Sequence, residues 1–186
     1  MKAPQEPPAH LSVPSDRVGV YLCFWLFLAF AVTFQLWFIA SGRLDLAPDE
    51  AHYWTWSKRL DWSYYSKGPM VAYLIALSTR LGGDTEFYVR LPAVILSAGT
   101  GLLTFLLARD VCGSARAGLD AVLLVAAMPL AQAGSILMTY DTPLVFFLVL
   151  ALALGRRMNQ FDVGGDGGGA RCYGFRGFWP LEPHGY

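Results

Sequence analysis

Apolar residues fall in long uninterrupted runs along the chain, a pattern typical of membrane proteins rather than soluble domains. The first run, Val18–Ala40, holds no charged residue and would be roughly 35 Å long as a helix, enough to cross the roughly 30 Å apolar core of a bilayer. Residues 91–108 and 119–138 form two further runs, and residues 143–155 begin a fourth, shorter helix. The pattern predicts an all-α polytopic membrane protein with about four transmembrane helices.

Residues 41–90 differ, because acidic, basic and aromatic residues are mixed there. Residues 69–79 are apolar, yet as a helix they would be only about 16 Å long, which is too short to cross. We expect an interfacial or re-entrant helix at this place. Pro92 suits the first turn of the second span, and Pro129 predicts a kink in the third.

The two ends lack these patterns. Residues 1–17 are polar and rich in proline, and we interpret them as a disordered cytoplasmic tail. Residues 158–186 are rich in glycine and have no periodicity; they are expected to be out of frame or disordered, which leaves 18–157 as the membrane domain. The arginines in the short loops favour cytoplasmic termini, with residues 41–90 on the other side.

Composition narrows the function classes. Hydrophobic residues make up 55% of the 186, charged residues only 15%, and the net charge is zero. No basic patch or reading motif indicates nucleic-acid binding. The three cysteines fit the spacing of neither a zinc site nor a disulfide framework.

The segment PDEAHYWTW, residues 48–56, directly follows the first span. Pro48 suits position N1 of a helix, and Asp49 and Glu50 its first turn, where the helix dipole favours acidic residues. One helical face carries Asp49, His52, Tyr53 and Trp56. The segment is either an ordinary helix start or a carboxylate held at the membrane surface as a general base; His52 fits a hydrogen-bonded histidine better than a metal ligand.

Two further segments carry candidate chemistry. In LDWSYYSKGPM, residues 60–70, Lys67 either snorkels to the interface or binds a lipid phosphate. The aromatic residues of this segment either form an interfacial belt or stack on sugar rings; they are Trp62, Tyr64 and Tyr65. In MTYDTP, Asp141 either makes an Asx turn or supplies a second functional carboxylate.

The expected topology places Asp49, Lys67 and Asp141 on one side of the membrane. If residues 69–79 do not cross, Asp141 emerges on the same, non-cytoplasmic side as Asp49 and Lys67. Two carboxylates and one lysine at one face suit a phosphate-linked substrate, with a divalent metal cation as a candidate cofactor.

The order PDEAHYWTW, DWSYYSKGPM, FYVRLPAVILSAGT and LMTYDTP resembles the N-terminal third of bacterial GT-C membrane glycosyltransferases, in particular the protein-mannosyltransferase and aminoarabinose-transferase-like group. The resemblance covers roughly residues 18–157. It implies a fold of many transmembrane helices with interfacial helices in the first outer loop. It also implies sugar transfer from a polyprenyl phosphate, on the non-cytoplasmic face of the bacterial plasma (inner) membrane, to a protein, lipid A or a cell-envelope glycan.

The resemblance also implies roles for individual residues. Asp49, Glu50 and Asp141 would be the catalytic carboxylates, and Lys67 would contact the carrier phosphate. Residues lining the substrate would be His52, Tyr53, Tyr64 and Tyr65. Some relatives have an acidic residue where Ser66 stands, which leaves a metal ligand there undefined.

Members of the group are several hundred residues long, so the chain is expected to be an N-terminal fragment, with a frameshift or truncation near residue 160. The alternative is a small non-catalytic membrane protein, either a subunit or transporter-like protein or an inactive truncated product.

Overall fold

The structure is a computed structural model that describes residues 15–64 and 67–161, all of whose regular elements are helices. The elements are α1 (Ser15–Ala40), α2 (Pro48–Ser57), α3 (Met70–Gly82), α4 (Glu86–Cys112), α5 (Ala115–Ala126), α6 (Pro129–Ile136) and α7 (Asp141–Phe161). The prediction of an all-α fold is confirmed. Most of the two predicted tails, residues 1–14 and 162–186, lies outside the described residues.

Two described helices are long and apolar enough to cross a membrane, namely Val18–Ala40 within α1 and Glu86–Cys112, which is α4. A third crossing results if α5 and α6, which meet at a 79° bend, form one broken span. The structure therefore supports two to three spans where about four were predicted. The fourth predicted span falls on α7, whose uncharged stretch between Asp141 and Arg156 is only about 21 Å long.

Contacts at the two ends of the helices show that α5 and α6 together traverse the bundle. The backbone N–H of Met138, just after α6, donates a hydrogen bond to Glu50 of α2. At the other end, the α7 side chain Arg156 reaches the carbonyl of Asp110, near the end of α4. The chain therefore returns to the level of α2 before α7 begins, and α7 runs alongside α4 in the same direction.

The break between α5 and α6 is stronger than the predicted kink. Pro129 is the first residue of α6, and Met128 before it is extended, as expected of a residue that precedes proline. The freed carbonyl of Ala126 accepts a hydrogen bond from the Gln132 side chain. The Gln132 side chain thus replaces the backbone N–H that would bond to this carbonyl in a continuous helix.

The expectation that Pro92 lies in a first helical turn is wrong, because α4 begins six residues earlier, at Glu86. Proline at position 92 has no N–H to donate to the carbonyl of Tyr88, four residues before it. Ser78 of α3 supplies the missing donor, with its hydroxyl 2.6 Å from that carbonyl oxygen. A hydrogen bond between α3 and α4 thus replaces the hydrogen bond within α4 that Pro92 cannot make.

Helix α4 is the centre of the packing and contacts α1, α3, α5, α6 and α7. One apolar cluster joins α2, α3 and α4 through buried residues such as Tyr53, Ile75 and Val89. A second cluster joins α1, α4 and α5, where Phe24 stacks on Phe105 at a centroid distance of 4.1 Å. The first cluster holds α2, with its acidic first turn, against the start of α4.

The predicted short helix after residue 69 is confirmed as α3, which packs one face against α2 and α4. A polar contact also ties α2 to the loop between α3 and α4, where Lys58 forms an ion pair with Asp84. The Lys58 ammonium lowers the pKa of the Asp84 carboxyl through this hydrogen bond. The helices around the acidic first turn are thus linked by both apolar and polar contacts.

Candidate functional site

The predicted site residues that the structure describes gather where α2 and the first turns of α4 and α7 meet. We call this region the carboxylate end of the bundle and define it by Asp49, Glu50 and Asp141. The opposite end, defined by Arg109, Arg156 and Arg157, is called the arginine end. About twenty residues of α4, or about 30 Å, separate Arg90 from Asp110 and hence the two ends.

Helix α2 begins as predicted, with Pro48 as its first residue and both acidic residues in its first turn. Ala47 before it is extended, and its N–H donates to Oε2 of Glu50 at 3.1 Å. The backbone thereby turns the Glu50 side chain inward. Asp49, the preceding residue on the helix, is exposed at the surface.

The Glu50 carboxylate lies at the centre of a buried network. Its side chain is 1% exposed and that of Arg90 is 2% exposed. Arg90 donates from Nε to both Glu50 oxygens at 3.2 Å and from Nη2 to Oε2 at 2.8 Å. Met138 N–H donates to Oε1 at 2.9 Å. Both oxygens are thus occupied by protein donors, an arrangement that favours a structural role for Glu50.

Arg90 extends this network to the segment after α1. Its two terminal nitrogens donate to the carbonyl oxygens of Leu44 and Asp45, each at 2.8 Å. The Glu50–Arg90 pair therefore joins four segments: residues 44–47, α2, α4 and the turn before α7. The pair thereby fixes α2, which carries Asp49, and the turn that leads directly into Asp141.

Lys67 lies beside this network and has tyrosine neighbours. Its ammonium nitrogen donates to the hydroxyl of buried Tyr53 at 2.6 Å and lies 4.3 Å from the ring centroid of Tyr140. None of the described carboxylates lies within ion-pair distance of it. The hydrogen bond that Lys67 donates to Tyr53 is the main cause that raises the pKa of Lys67, and the charge of Asp49 adds to it. Lys67 is thus held as a cation without a bound anion of its own among the described groups.

Asp141 begins α7 and is exposed, directly after Tyr140, which is 44% exposed. Two threonine hydroxyls on either side of it, those of Thr139 and Thr142, lie 3.2 Å apart. Thr142 also donates to the carbonyl of Gly134 in α6. These bonds fix the turn, so that Tyr140 reaches Lys67 and Asp141 stays accessible.

The remaining predicted residues form an aromatic group on α2 and the loop after it. His52 meets Trp56 edge to face at 4.6 Å, and Tyr64 stacks on the same ring at 4.5 Å. The Tyr64 hydroxyl donates to the carbonyl of Arg59 at 2.8 Å and so fastens the loop. Tyr65 lies outside the described residues. Sugar contact by His52 and Tyr64 stays a prediction.

The candidate metal ligands of the described chain are scattered. Among residues 15–64 and 67–161, no three His, Cys, Asp or Glu side chains cluster so that they could hold an ion. Glu50 is buried in its ion pair with Arg90, so Asp49 and Asp141 are the exposed carboxylates that define this end. The described side chains thus do not form a metal site by themselves, and the charged groups available for chemistry at this end are Asp49, Asp141 and Lys67.

Sequence reasoning did not identify Arg90 or Tyr140 as residues of this site. Arg90 stands directly before an apolar run, where a cation ordinarily marks the membrane boundary. The available signal was the unpaired acidic dipeptide in the preceding loop, since a buried carboxylate needs a cation. Tyr140 adjoins Asp141, but nothing in its spacing predicts the contact with Lys67.

Known proteins are similar in sequence to parts of this chain. The family model described as dolichyl-phosphate-mannose-protein mannosyltransferase matches residues 66–164. A lipid A galacturonosyltransferase, RgtD of Rhizobium johnstonii, is 31% identical over 129 residues, which are 67% of this chain and 27% of that protein. An uncharacterized protein of Aquifex aeolicus is 30% identical over 89 residues, or 48% of this chain and 18% of that protein.

No solved structure matches the chain significantly. The chain spans about a quarter of the length of RgtD and less of the Aquifex protein. The similarity therefore covers the region of Lys67, Arg90 and Asp141 but only part of the relatives' length.

Proposed function

Because the chain belongs to the dolichyl-phosphate-mannose-protein mannosyltransferase family, we propose that it carries the acceptor-activating and phosphate-binding groups of a membrane glycosyltransferase. The donor is a sugar linked to a polyprenyl phosphate, and the acceptor is a hydroxyl group on the non-cytoplasmic side of the plasma membrane. The similar RgtD is named for lipid A, which makes a glycolipid acceptor the first to test; a protein and a cell-envelope glycan are the others.

The observation that carries this proposal is the environment of Lys67. A lysine that only snorkels would extend into solvent, whereas the Lys67 ammonium is hydrogen-bonded to Tyr53 and lies over the ring of Tyr140. Both neighbours leave its positive charge uncompensated. Such a preorganised cation suits a lipid phosphate. The exposed carboxylate of Asp49 lies near enough to act on a substrate bound at Lys67.

The reaction follows from these two groups. Asp49 takes the proton of the acceptor hydroxyl, and the acceptor oxygen forms a bond to the anomeric carbon of the donor sugar. The bond from that carbon to the phosphate oxygen breaks, and the electron pair leaves with the polyprenyl phosphate. Lys67 stabilises the negative charge that develops on this leaving group. The displacement inverts the anomeric centre, and the proton on Asp49 passes to water.

Binding of the carrier phosphate tests the proposed phosphate site. Undecaprenyl phosphate is titrated into the purified full chain in detergent, and Lys67→Ala is compared with Lys58→Ala. Loss of one charge-assisted hydrogen bond to the phosphate predicts about a tenfold weaker affinity for Lys67→Ala. Lys58 is already paired with Asp84, so its variant should bind as the wild type does. Equal, small effects of both substitutions would contradict a phosphate site at Lys67.

Sugar transfer tests the catalytic part. The full chain in proteoliposomes is given a polyprenyl-phosphate sugar and each class of acceptor, and the product is identified by mass spectrometry. Asp49→Asn should abolish transfer but keep donor binding, since it removes the base and leaves Lys67 in place. A wild-type chain that binds donor but transfers nothing would favour a non-catalytic subunit, the alternative that the sequence left open.

A further inference from the structure

The arginine end of the bundle contains a groove that the proposed reaction does not use. It lies between α4 and α7 and encloses about 110 Å³. Its walls are aliphatic and are formed by Leu103, Leu106, Leu107, Leu150, Ala153 and Leu154. About 20 Å of α4, from Arg90 to Leu103, separates this groove from the carboxylate end.

Charged residues line the mouth of the groove. Asp110 lies there and is paired with Arg109, at 2.7 Å. Arg156 and Arg157 line it from α7 and are exposed. Because the Asp110 carboxylate is already paired with Arg109, the guanidinium groups of Arg156 and Arg157 leave a surplus of two positive charges among the described residues of the mouth. Arg156 makes one hydrogen bond there, a long one of 3.5 Å to the Asp110 carbonyl.

We propose that this groove binds an anionic phospholipid of the leaflet at the arginine end. The phosphate would accept hydrogen bonds from Arg156 and Arg157, and the first part of one acyl chain would lie between the leucines of α4 and α7. The order of residues supports this occupant, because the two arginines follow the last apolar turn of α7 and so stand at the level of the headgroups. An apolar helix in the same place would cover the leucines but leave the two cations unmatched.

Native mass spectrometry of the full chain with added phosphatidylglycerol tests the charge selection. Each arginine near an anionic lipid is worth about a fivefold change in affinity, so the double variant R156Q/R157Q should bind about twenty-five-fold more weakly. Phosphatidylcholine, which has no net charge, should bind the wild type more weakly than phosphatidylglycerol. The matched control R43Q/R59Q removes the same charge from loops outside the groove and should bind as the wild type does.

A second variant tests the groove itself. Ala153→Phe fills the space between the helices while both arginines remain, and it should reduce phosphatidylglycerol binding as strongly as the charge variant. A phospholipid with a photoreactive acyl chain should crosslink to residues 103–107 or 150–154 of the wild type. Unchanged binding in either the arginine or the Ala153 variant would overturn the proposal. So would a lipid-free dimer that crosslinks through the same residues, since a second copy would then occupy the groove.

Discussion

Adjacent carboxylates at the start of α2 have opposite environments. Asp49 is exposed, whereas Glu50 is buried and bonded to Arg90, Ala47 and Met138. The difference arises because successive side chains on a helix point about 100° apart, so that only one of them faces α4. The sequence predicts the pair as a unit, but only the packing separates an accessible base from a buried structural group.

The buried pair should matter for stability more than any other charge of this region. Glu50→Gln leaves the Arg90 guanidinium buried without a counter-charge, which should lower the free energy of unfolding by about 3–5 kcal/mol. Thermal unfolding in detergent, followed by circular dichroism, measures this loss. Asp49→Asn, one residue away and exposed, should leave the transition unchanged. Equal shifts for the two variants would contradict the structural role given to Glu50.

A second prediction for a single residue concerns the pH range over which the carrier phosphate binds. The hydrogen bond that Lys67 donates to the Tyr53 hydroxyl raises the pKa of Lys67 above its ordinary value of 10.5. The charged form of Lys67 is thus complete below that ordinary value and is lost only as the pH rises through the higher one. Tyr53→Phe removes the bond, so the loss of undecaprenyl phosphate binding should begin at a lower pH than in the wild type.

Binding titrations between about pH 8 and pH 11 measure this shift. Tyr73→Phe is the matched control, because the Tyr73 hydroxyl bonds to the carbonyl of Asp61 and not to Lys67. Identical pH profiles for Tyr53→Phe and the wild type would show that Tyr53 does not hold the lysine in its charged form.

At the scale of the elements, the start of α4 shows how two helices share one backbone defect. Pro92 leaves the carbonyl of Tyr88 without its usual donor, and Ser78 of α3 supplies a replacement. Ser78→Ala should cost about 1–3 kcal/mol because the carbonyl is then unpaired at a buried contact. In a Pro92→Ala background the helix regains its own N–H donor, and the cost of Ser78→Ala should fall.

Thermal unfolding of the two single variants and the double variant gives the coupling between the sites. The coupling should be of the order of 1 kcal/mol, since the two residues serve one carbonyl. Additive effects would mean that the hydroxyl of Ser78 stabilises the structure in some other way.

The sequence predicted the bounds of a helix well where a long apolar run has clear ends. It predicted them poorly where a helix depends on hydrogen bonds to a neighbouring helix. Val18–Ala40 has no charge and is confirmed as a candidate span within α1. The start of α4 was placed too late, because the segment from Glu86 to Arg90 is mixed in polarity and its helical state depends on α3. Pro129 predicted only a kink, whereas α5 and α6 meet at 79°. The larger bend is possible because the Gln132 side chain bonds to the carbonyl of Ala126 that the break frees.

At the scale of the whole molecule, the site depends on chain direction more than on any single spacing. Glu50 and Met138 are 88 residues apart in sequence, yet they share a hydrogen bond. That closeness requires α1, α4 and the α5–α6 pair to alternate in direction, with α3 confined to one end. The sequence predicted this order from the short length of residues 69–79, but the bond to Met138 and the role of Arg90 required the packed structure.

The membrane topology tests this order directly. Single cysteines are introduced at positions 45 and 140, near the carboxylate end, and at position 113, just beyond the end of α4, with Cys23, Cys112 and Cys172 replaced by serine. A membrane-impermeant maleimide added to intact cells should label positions 45 and 140, because both are expected on the non-cytoplasmic side. Position 113 should react only after the membrane is permeabilised, since α4 is about 40 Å long and ends across the bilayer. Labelling of 45 and 140 from opposite sides would mean that α3 crosses or that the α5–α6 pair does not. In that case Asp141 and Lys67 would not share one membrane face, and the phosphate site at the carboxylate end would be lost.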